Sequence, residues 1–315
     1  MRNRIWVYFT LTLSVAALIA LIFGFSKDAD SNIEDYQKEF RENYSIYAID
    51  IPSELFFAGE QVPIDNFDTR ESLDREILVN TYFHSNTLLM IKRSNRFFPV
   101  IEPILNKNGI PDDFKYLSVA ESGLENGTSP SGAVGFWQFL EGTGKEYGLV
   151  INEEVDERYH LEKSTEAACK YLNKTYKNYQ NWTLVAASYN NGKSGLDRQI
   201  DIQKIKNYYD LLLNEETARY VFRIIALKLI MSNPNNFGFY YRNSDLYPPI
   251  ETYIVEINAA VADFAEFAGK YGINYKILKY FNPWLRKPYL TNKNNDTFFI
   301  KIPFKFEREF IKVGL

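Results

Sequence analysis

The stretch PDDFKYLSVAESGLENGTSPSGAVGFWQF, residues 111–139, decides how this chain is read. Its first part is patterned as a short helix. Pro111 suits a first helical turn, Asp112 and Asp113 favour the positive end of the helix dipole, and Gly123 suits the stop. Phe114, Leu117 and Glu121 fall at i, i+3 and i+7, so a carboxyl projects from the apolar face with no basic residue beside it in sequence. Burial disfavours the charged form of a carboxyl, and so does the negative pole of a helix. Both effects push the Glu121 pKa upward. A carboxyl kept protonated near neutral pH can act as a general acid on a glycosidic oxygen. The alternative is a buried glutamate bonded to neighbouring backbone.

The second part of the stretch supplies Ser129, Ser131, Gly132 and Gly135, a loop in which backbone can approach a ligand. Trp137 then offers a stacking face or a core side chain, and Gln138 both donates and accepts hydrogen bonds. Such a set suits a neutral polysaccharide. The 23 Tyr and 24 Phe serve equally for stacking on sugar rings and for filling cores.

Around this stretch the chain is helical. Residues 71–109 carry apolar side chains at Leu73, Ile77, Leu88, Ile91, Phe98, Ile101 and Leu105, which predicts helix interrupted at Pro99 and closed by Gly109. Helices are also predicted in STEAACKYLNKTYKNY (164–179), WTLVAASYN (182–190) and EETARYVFRIIALKLIMSN (215–233). No strand alternation is evident between 71 and 235, so the fold class is mainly α. Residues 26–70 are polar and Pro-punctuated, with extended signals in ELFFAGEQV, and read as a tether and packing arm ahead of an all-α domain over 71–245.

Composition limits the remaining choices. The 315 residues, 46% hydrophobic and 24% charged, can bury a sizeable core, and the formal charge of −4 argues against a nucleic-acid binder. The single Cys169, in the helical flank EAACKYL, excludes an intrachain disulfide and reads as a buried thiol. His84 and His160 read as surface or packing residues, so no metal site is predicted. Ile5 to Phe25 is an uncharged run that would span about 30 Å as a helix, enough for a bilayer. With Arg2 and Arg4 ahead of it, residues 1–25 read as a membrane anchor with the remaining chain exported, or as a cleaved signal segment.

The motifs AESG, SPSGAVGFWQF, AASYNNG and ETARYVFRI, in that order, resemble those of the lytic transglycosylases with a goose-type-lysozyme-like fold. The resemblance covers roughly residues 100–235. It implies that Glu121 is the sole catalytic acid, followed by the usual Ser122 as a substrate-binding residue. It also implies that Gln138 of the Gly-x-x-Gln element, Tyr189, Asn190 and Tyr220 line a peptidoglycan groove, with Ser129 or Ser131 reaching the sugar's acetamido group. The segment between Glu121 and Gln138 is one residue shorter than the family's common spacing, and Leu124 stands where Phe is frequent.

Such an enzyme would cleave the β-1,4 bond between N-acetylmuramic acid and N-acetylglucosamine with formation of 1,6-anhydromuramoyl ends, without a metal or organic cofactor, on the periplasmic side of the envelope. A hydrolase of the lysozyme or chitinase type shares the acid but delivers water, ordinarily through a second carboxylate; none is an evident partner here, although Glu125 and Glu141 are near in sequence. A wall-binding scaffold would keep the groove and lose the chemistry. The last section, 246–315, reads as strand, two helices and strand, and resembles a LysM-like module in FAGKYGINYKILKYFNPWL. Asn258, Ala259, Ala260 and Val261 replace the usual Gly-Asp-Thr-Leu, so a glycan binder and a structural appendage both remain open.

Overall fold

The structure, a computed structural model, describes residues 46–304. The expected anchor at Ile5–Phe25 lies outside the described residues. Among the described residues no helix is long and apolar enough to cross a membrane.

The arm ends in a small hairpin, β1 (Phe56–Phe57) against β2 (Glu60–Gln61). Phe57 is fully buried against Phe114, and the Ala58 amide donates to Asp113 Oδ2 at 2.6 Å. Glu60 reaches further. Its carboxylate accepts from the amides of Trp182 at 2.5 Å and Thr183 at 3.0 Å, and so caps a helix more than a hundred residues away in sequence.

Two helices follow, α1 (Phe67–Tyr82) and α2 (His84–Lys107). The break falls at Phe83, not at the expected Pro99: α2 runs straight through Pro99 and Pro103. Both prolines, and Asn95, lie on the exposed stripe of α2, so the carbonyls that lose their i+4 donors lie on the solvent side of the helix. The joint at Phe83 is held instead by the Thr87 hydroxyl, which donates to the Asn80 carbonyl at 2.5 Å.

A 3-10 turn at Asp112–Phe114 leads into α3 (Lys115–Ser122), which stops at Gly123 in the left-handed region, φ 59°. After a loop come α4 (Glu141–Glu146), α5 (Leu161–Tyr179), α6 (Trp182–Asn191), α7 (Lys193–Gln203) and α8 (Glu215–Ser232). Helix α8 is apolar nearly all round: Val221, Phe222, Ile224, Ile225, Ala226, Leu227 and Ile230 are all buried. It packs against α1, α3 and α6 and forms the middle of the core. Cys169 on α5 is fully buried, as its flanks predicted, and burial pushes its thiol up to about 12.

The C-terminal unit is β3 (Thr252–Ile257), α9 (Phe264–Lys270), α10 (Tyr275–Phe281) and β4 (Phe298–Pro303), with β3 antiparallel to β4 in the register Thr252 to Pro303 and Ile257 to Phe298. Its core of Phe264, Leu278, Trp284, Ile300 and Ile302 also takes in Val155 from the helical domain. The seam is polar as well. Asp156 donates its amide to the Trp284 carbonyl at 2.9 Å, Arg286 donates its amide to the Glu154 carbonyl at 2.7 Å, and Lys301 pairs with Glu162. These contacts hold the unit fixed on the helical domain.

Candidate active site

Glu121 sits on the last turn of α3, where Ala120 and Glu121 open onto a cleft of about 710 Å³. The loop 126–139 contributes Ser129, Ser131 and Gln138 to the cleft wall, and α6 contributes Tyr189 and Asn190. Helix α8 contributes Glu216, Tyr220 and Arg223, at i, i+4 and i+7 on one stripe. The cleft therefore receives side chains from segments spread over about a hundred residues.

The Tyr220 hydroxyl donates a hydrogen bond to Glu121 Oε1. Burial pushes the Glu121 carboxyl up to about 7; the Tyr220 bond and the Arg223 charge pull it down, and the Glu216 charge pushes it up. Desolvation wins, so the side chain is poised to hold a proton at neutral pH. The Tyr220 and Tyr189 phenols are both driven well above their usual range, first by burial and then by the charge of Glu121. They stay neutral and act as donors.

Tyr189 does not touch Glu121 by hydrogen bond. Its hydroxyl donates to the Trp137 carbonyl at 2.7 Å, and its ring stands edge-on to Tyr171 at 5.1 Å, which ties α6 to the loop. Asn190 is held at both ends of its amide: Nδ2 donates to Glu216 Oε1 at 3.0 Å, and Oδ1 accepts from Thr217 Oγ1 at 2.8 Å. Ser129 and Ser131 share a hydrogen bond of 2.9 Å, and Ser129 Oγ accepts from the Ala133 amide at 3.0 Å, closing the loop as a turn. Gln138 has a left-handed backbone, φ 47°, and donates its side-chain amide to the carbonyls of Gly135 at 2.8 Å and Gly127 at 3.3 Å.

Two sequence expectations are corrected by this geometry, for Ser122 and Gly135, and the open alternative at Trp137 is decided. Ser122 does not line the cleft. One residue on from Glu121 it is turned about 100° round the helix, and its hydroxyl reaches the carbonyls of Ser118 and Phe136, both at 3.0 Å. Trp137 offers no stacking face: it is fully buried, and Nε1 donates to Thr165 Oγ1 at 2.8 Å. Gly135 serves close packing on protein backbone and not a ligand, because a Cβ there would lie 2.1 Å from the Arg158 carbonyl oxygen.

The two carboxylates near Glu121 in sequence are not its partners in space. Glu125 pairs with Arg93 and Glu141 with Lys145, and neither lines the cleft. The carboxylate that does act on Glu121 is Glu216, together with the cation Arg223. Both lie beside Tyr220 on α8, and the i, i+4, i+7 spacing of Glu216, Tyr220 and Arg223 was the signal that could have found them.

Comparison with known families now adds to the geometry. Residues 99–212 match the transglycosylase SLT domain, and residues 253–305 match the soluble lytic transglycosylase C-terminal LysM-like domain. The chain carries a transglycosylase SLT domain followed by a LysM-like domain. It is also 27% identical over 235 residues to membrane-bound lytic murein transglycosylase D of Escherichia coli strain K12, and equally to that of strain O6:H1. Those alignments cover 72% of this chain, and the chain spans about half, 50%, of the length of these relatives. Glu121, Ser129, Ser131, Gln138, Tyr189 and Asn190 fall inside the SLT match. Tyr220 and Arg223 lie beyond its end, on the helix that closes the cleft over Glu121.

Proposed function

We propose that this protein is a peptidoglycan lytic transglycosylase that cleaves the β-1,4 bond between N-acetylmuramic acid and N-acetylglucosamine. The observation that carries the reading is the Glu121 carboxyl, desolvated in the cleft, bonded by Tyr220 and pushed up to about 7. Such a group holds the proton that a glycosidic oxygen must receive as its bond to C1 breaks. Glu121 gives that proton to the leaving oxygen while the substrate's own N-acetyl group supports the positive charge at C1. Glu121, now a carboxylate stabilised by the Tyr220 hydroxyl, takes the proton of the C6 hydroxyl as that oxygen bonds to C1. The ring closes into a 1,6-anhydromuramoyl end, no water is consumed, and Glu121 regains its proton.

In this reading the remaining cleft residues bind and orient. Ser129 and Ser131 sit at the mouth and meet the acetamido group, Gln138 and Asn190 supply polar contacts along the strand, and Tyr189 and Tyr220 exclude solvent. Residues 1–25 would anchor the chain in a membrane with the SLT domain on the periplasmic side, in keeping with the membrane-bound relatives.

Glu216 favours a second reading. It is a carboxylate in the same cleft, close enough to act on Glu121 by charge, and a hydrolase would use it to activate water. Its bond from Asn190 and its exposed position argue for a binding role. Mass spectrometry of products from purified sacculi separates the cases. Anhydro ends, lost in Glu121→Gln, support the transglycosylase; reducing ends support hydrolysis; no cleavage by the unmodified protein supports a wall-binding scaffold.

A further inference from the structure

Behind the cleft, between α1 and α8, lies a carboxylate that neither the sequence reading nor the proposed chemistry uses. Glu76 on α1 is 1% exposed. Its Oε1 accepts from Arg219 Nε at 2.7 Å and from Arg75 Nη1 at 2.9 Å. Its Oε2 is buried without a hydrogen-bond partner among the described residues, and Arg223 Nε stands 3.7 Å from it. On its other side Arg223 lines the cleft, where its charge acts on Glu121. One guanidinium thus stands between two carboxyl groups, a buried structural anion and the proposed proton donor.

That placement poses a physical problem. A cation next to a carboxyl favours its ionised form, which is the opposite of what a proton donor requires. The ionisable groups acting on Glu121 are Tyr189 from α6 and Glu216, Tyr220 and Arg223 from α8; the loop contributes only uncharged Ser129, Ser131 and Gln138. The other cations lining the cleft are engaged elsewhere, Lys174 by Glu146 at 2.8 Å and Lys193 by Asp197 at 2.5 Å. Arg223 is therefore the cation whose position decides how acidic Glu121 becomes. A buried carboxylate oxygen that receives no hydrogen bond and lies at ion-pair distance is a strong attractor for it, because Coulomb attraction grows as water is excluded.

We propose that Glu76 is a positioning residue for the proton donor: its buried charge draws the Arg223 guanidinium back towards α1 and keeps it from forming an ion pair with Glu121. The inference rests on the reading of Glu121 as the acid. It assigns to Glu76 a role in the reaction without contact with substrate.

The test is the pH profile of sacculus cleavage by the full chain. Removing the Glu76 charge frees Arg223 to approach Glu121, which then loses its proton at lower pH. Glu76→Gln should move the alkaline limb to lower pH by about one unit, an approximately tenfold loss of rate on that limb. Arg223→Gln removes the cation and should move the limb the other way. In the double variant the Glu76 effect should vanish, leaving the Arg223→Gln profile.

A Glu76→Gln variant slower by the same factor at every pH, with its limb unmoved, would show a merely structural role and overturn the proposal. So would a Glu76 shift that survives in the double variant. If Glu76→Gln does not fold, Arg223→Gln decides: a limb that stays in place means that the guanidinium does not act on Glu121, and the idea falls. Glu121→Gln run alongside keeps the two levels apart. Cleavage by that variant removes the donor reading and this proposal with it, whereas a dead Glu121→Gln with unmoved limbs removes this proposal alone.

Discussion

The hydroxyl of Tyr220 donates a hydrogen bond to Oε1 of Glu121, and that single bond joins the last turn of α3 to the middle of α8. A donor at a carboxyl oxygen stabilises the ionised form, so this bond opposes the effect of burial on the same group. Tyr220→Phe deletes the donor and keeps the ring. The alkaline limb of the cleavage profile should then move to higher pH, because Glu121 holds its proton more tightly. The maximal rate should fall about tenfold to a hundredfold, since the carboxylate left after proton transfer loses its partner. Rate measurements across pH check both effects. A slower enzyme with an unmoved limb would place Tyr220 in substrate binding instead.

Glu121 also ties stability to pH. Its carboxyl is raised from 4.5 to about 7 in the folded chain, so between these values the folded state binds more protons than the unfolded one. Stability contributed by the protonated group is full below the unfolded value and is lost as pH rises through the folded one. Glu121→Gln cannot ionise and escapes this loss. Its unfolding free energy should match the unsubstituted protein at acidic pH and exceed it by up to about 3 kcal/mol above neutrality. Denaturant unfolding of both proteins at several pH values measures the gap; a gap that does not grow with pH would mean that Glu121 is well solvated.

Trp137 belongs to stability and not to sugar recognition. It is fully enclosed, with its indole N–H bonded to Thr165 at 2.8 Å. Trp137→Ala should lower the unfolding free energy by about 3–5 kcal/mol through the cavity it leaves. Trp137→Phe in a Glu121→Gln background should bind glycan fragments as tightly as Glu121→Gln alone. Calorimetric titration with chitotetraose reads this, and a weakened affinity in a folded variant would return Trp137 to the binding surface.

These contrasts show what the sequence makes legible. The direction of Glu121 is a local property, since eight residues of helix periodicity place a carboxyl on an apolar face. The βααβ unit is legible for the same reason, each element being a short self-contained pattern. Tyr220, Glu216 and Arg223 join Glu121 only through tertiary packing of α8 on α3; their i, i+4, i+7 spacing shows that they share a stripe, but not that this stripe faces the cleft. Trp137 shows a further limit: an aromatic beside glycines fits a sugar platform and a core equally, and only burial decides. Pro99 marks a helix break in most settings, but here the carbonyl that it leaves free lies on the wet side of α2, so the helix continues.

Gly135 gives a test of how the loop is locked beside the cleft. Its φ is +81°, and a Cβ would lie 2.1 Å from the Arg158 carbonyl oxygen, a backbone atom that cannot swing away. Arg158 is itself fixed, because its Nη2 pairs with Asp156 at 2.7 Å and its Nη1 donates to the Gly132 carbonyl at 3.1 Å. The clash therefore has no soft side to relax into, and the loop must move. Gly135→Ala should destabilise the fold by about 2 kcal/mol or more, combining left-handed strain with overpacking. The same shift would pull Trp137 and Gln138 away from α6 and loosen the Tyr189 bond to the Trp137 carbonyl. Cleavage should then fall more steeply than the folded fraction does. Activity per folded molecule, from parallel melting and product assays, checks this; an unchanged value would mean that the loop's position does not matter to the cleft.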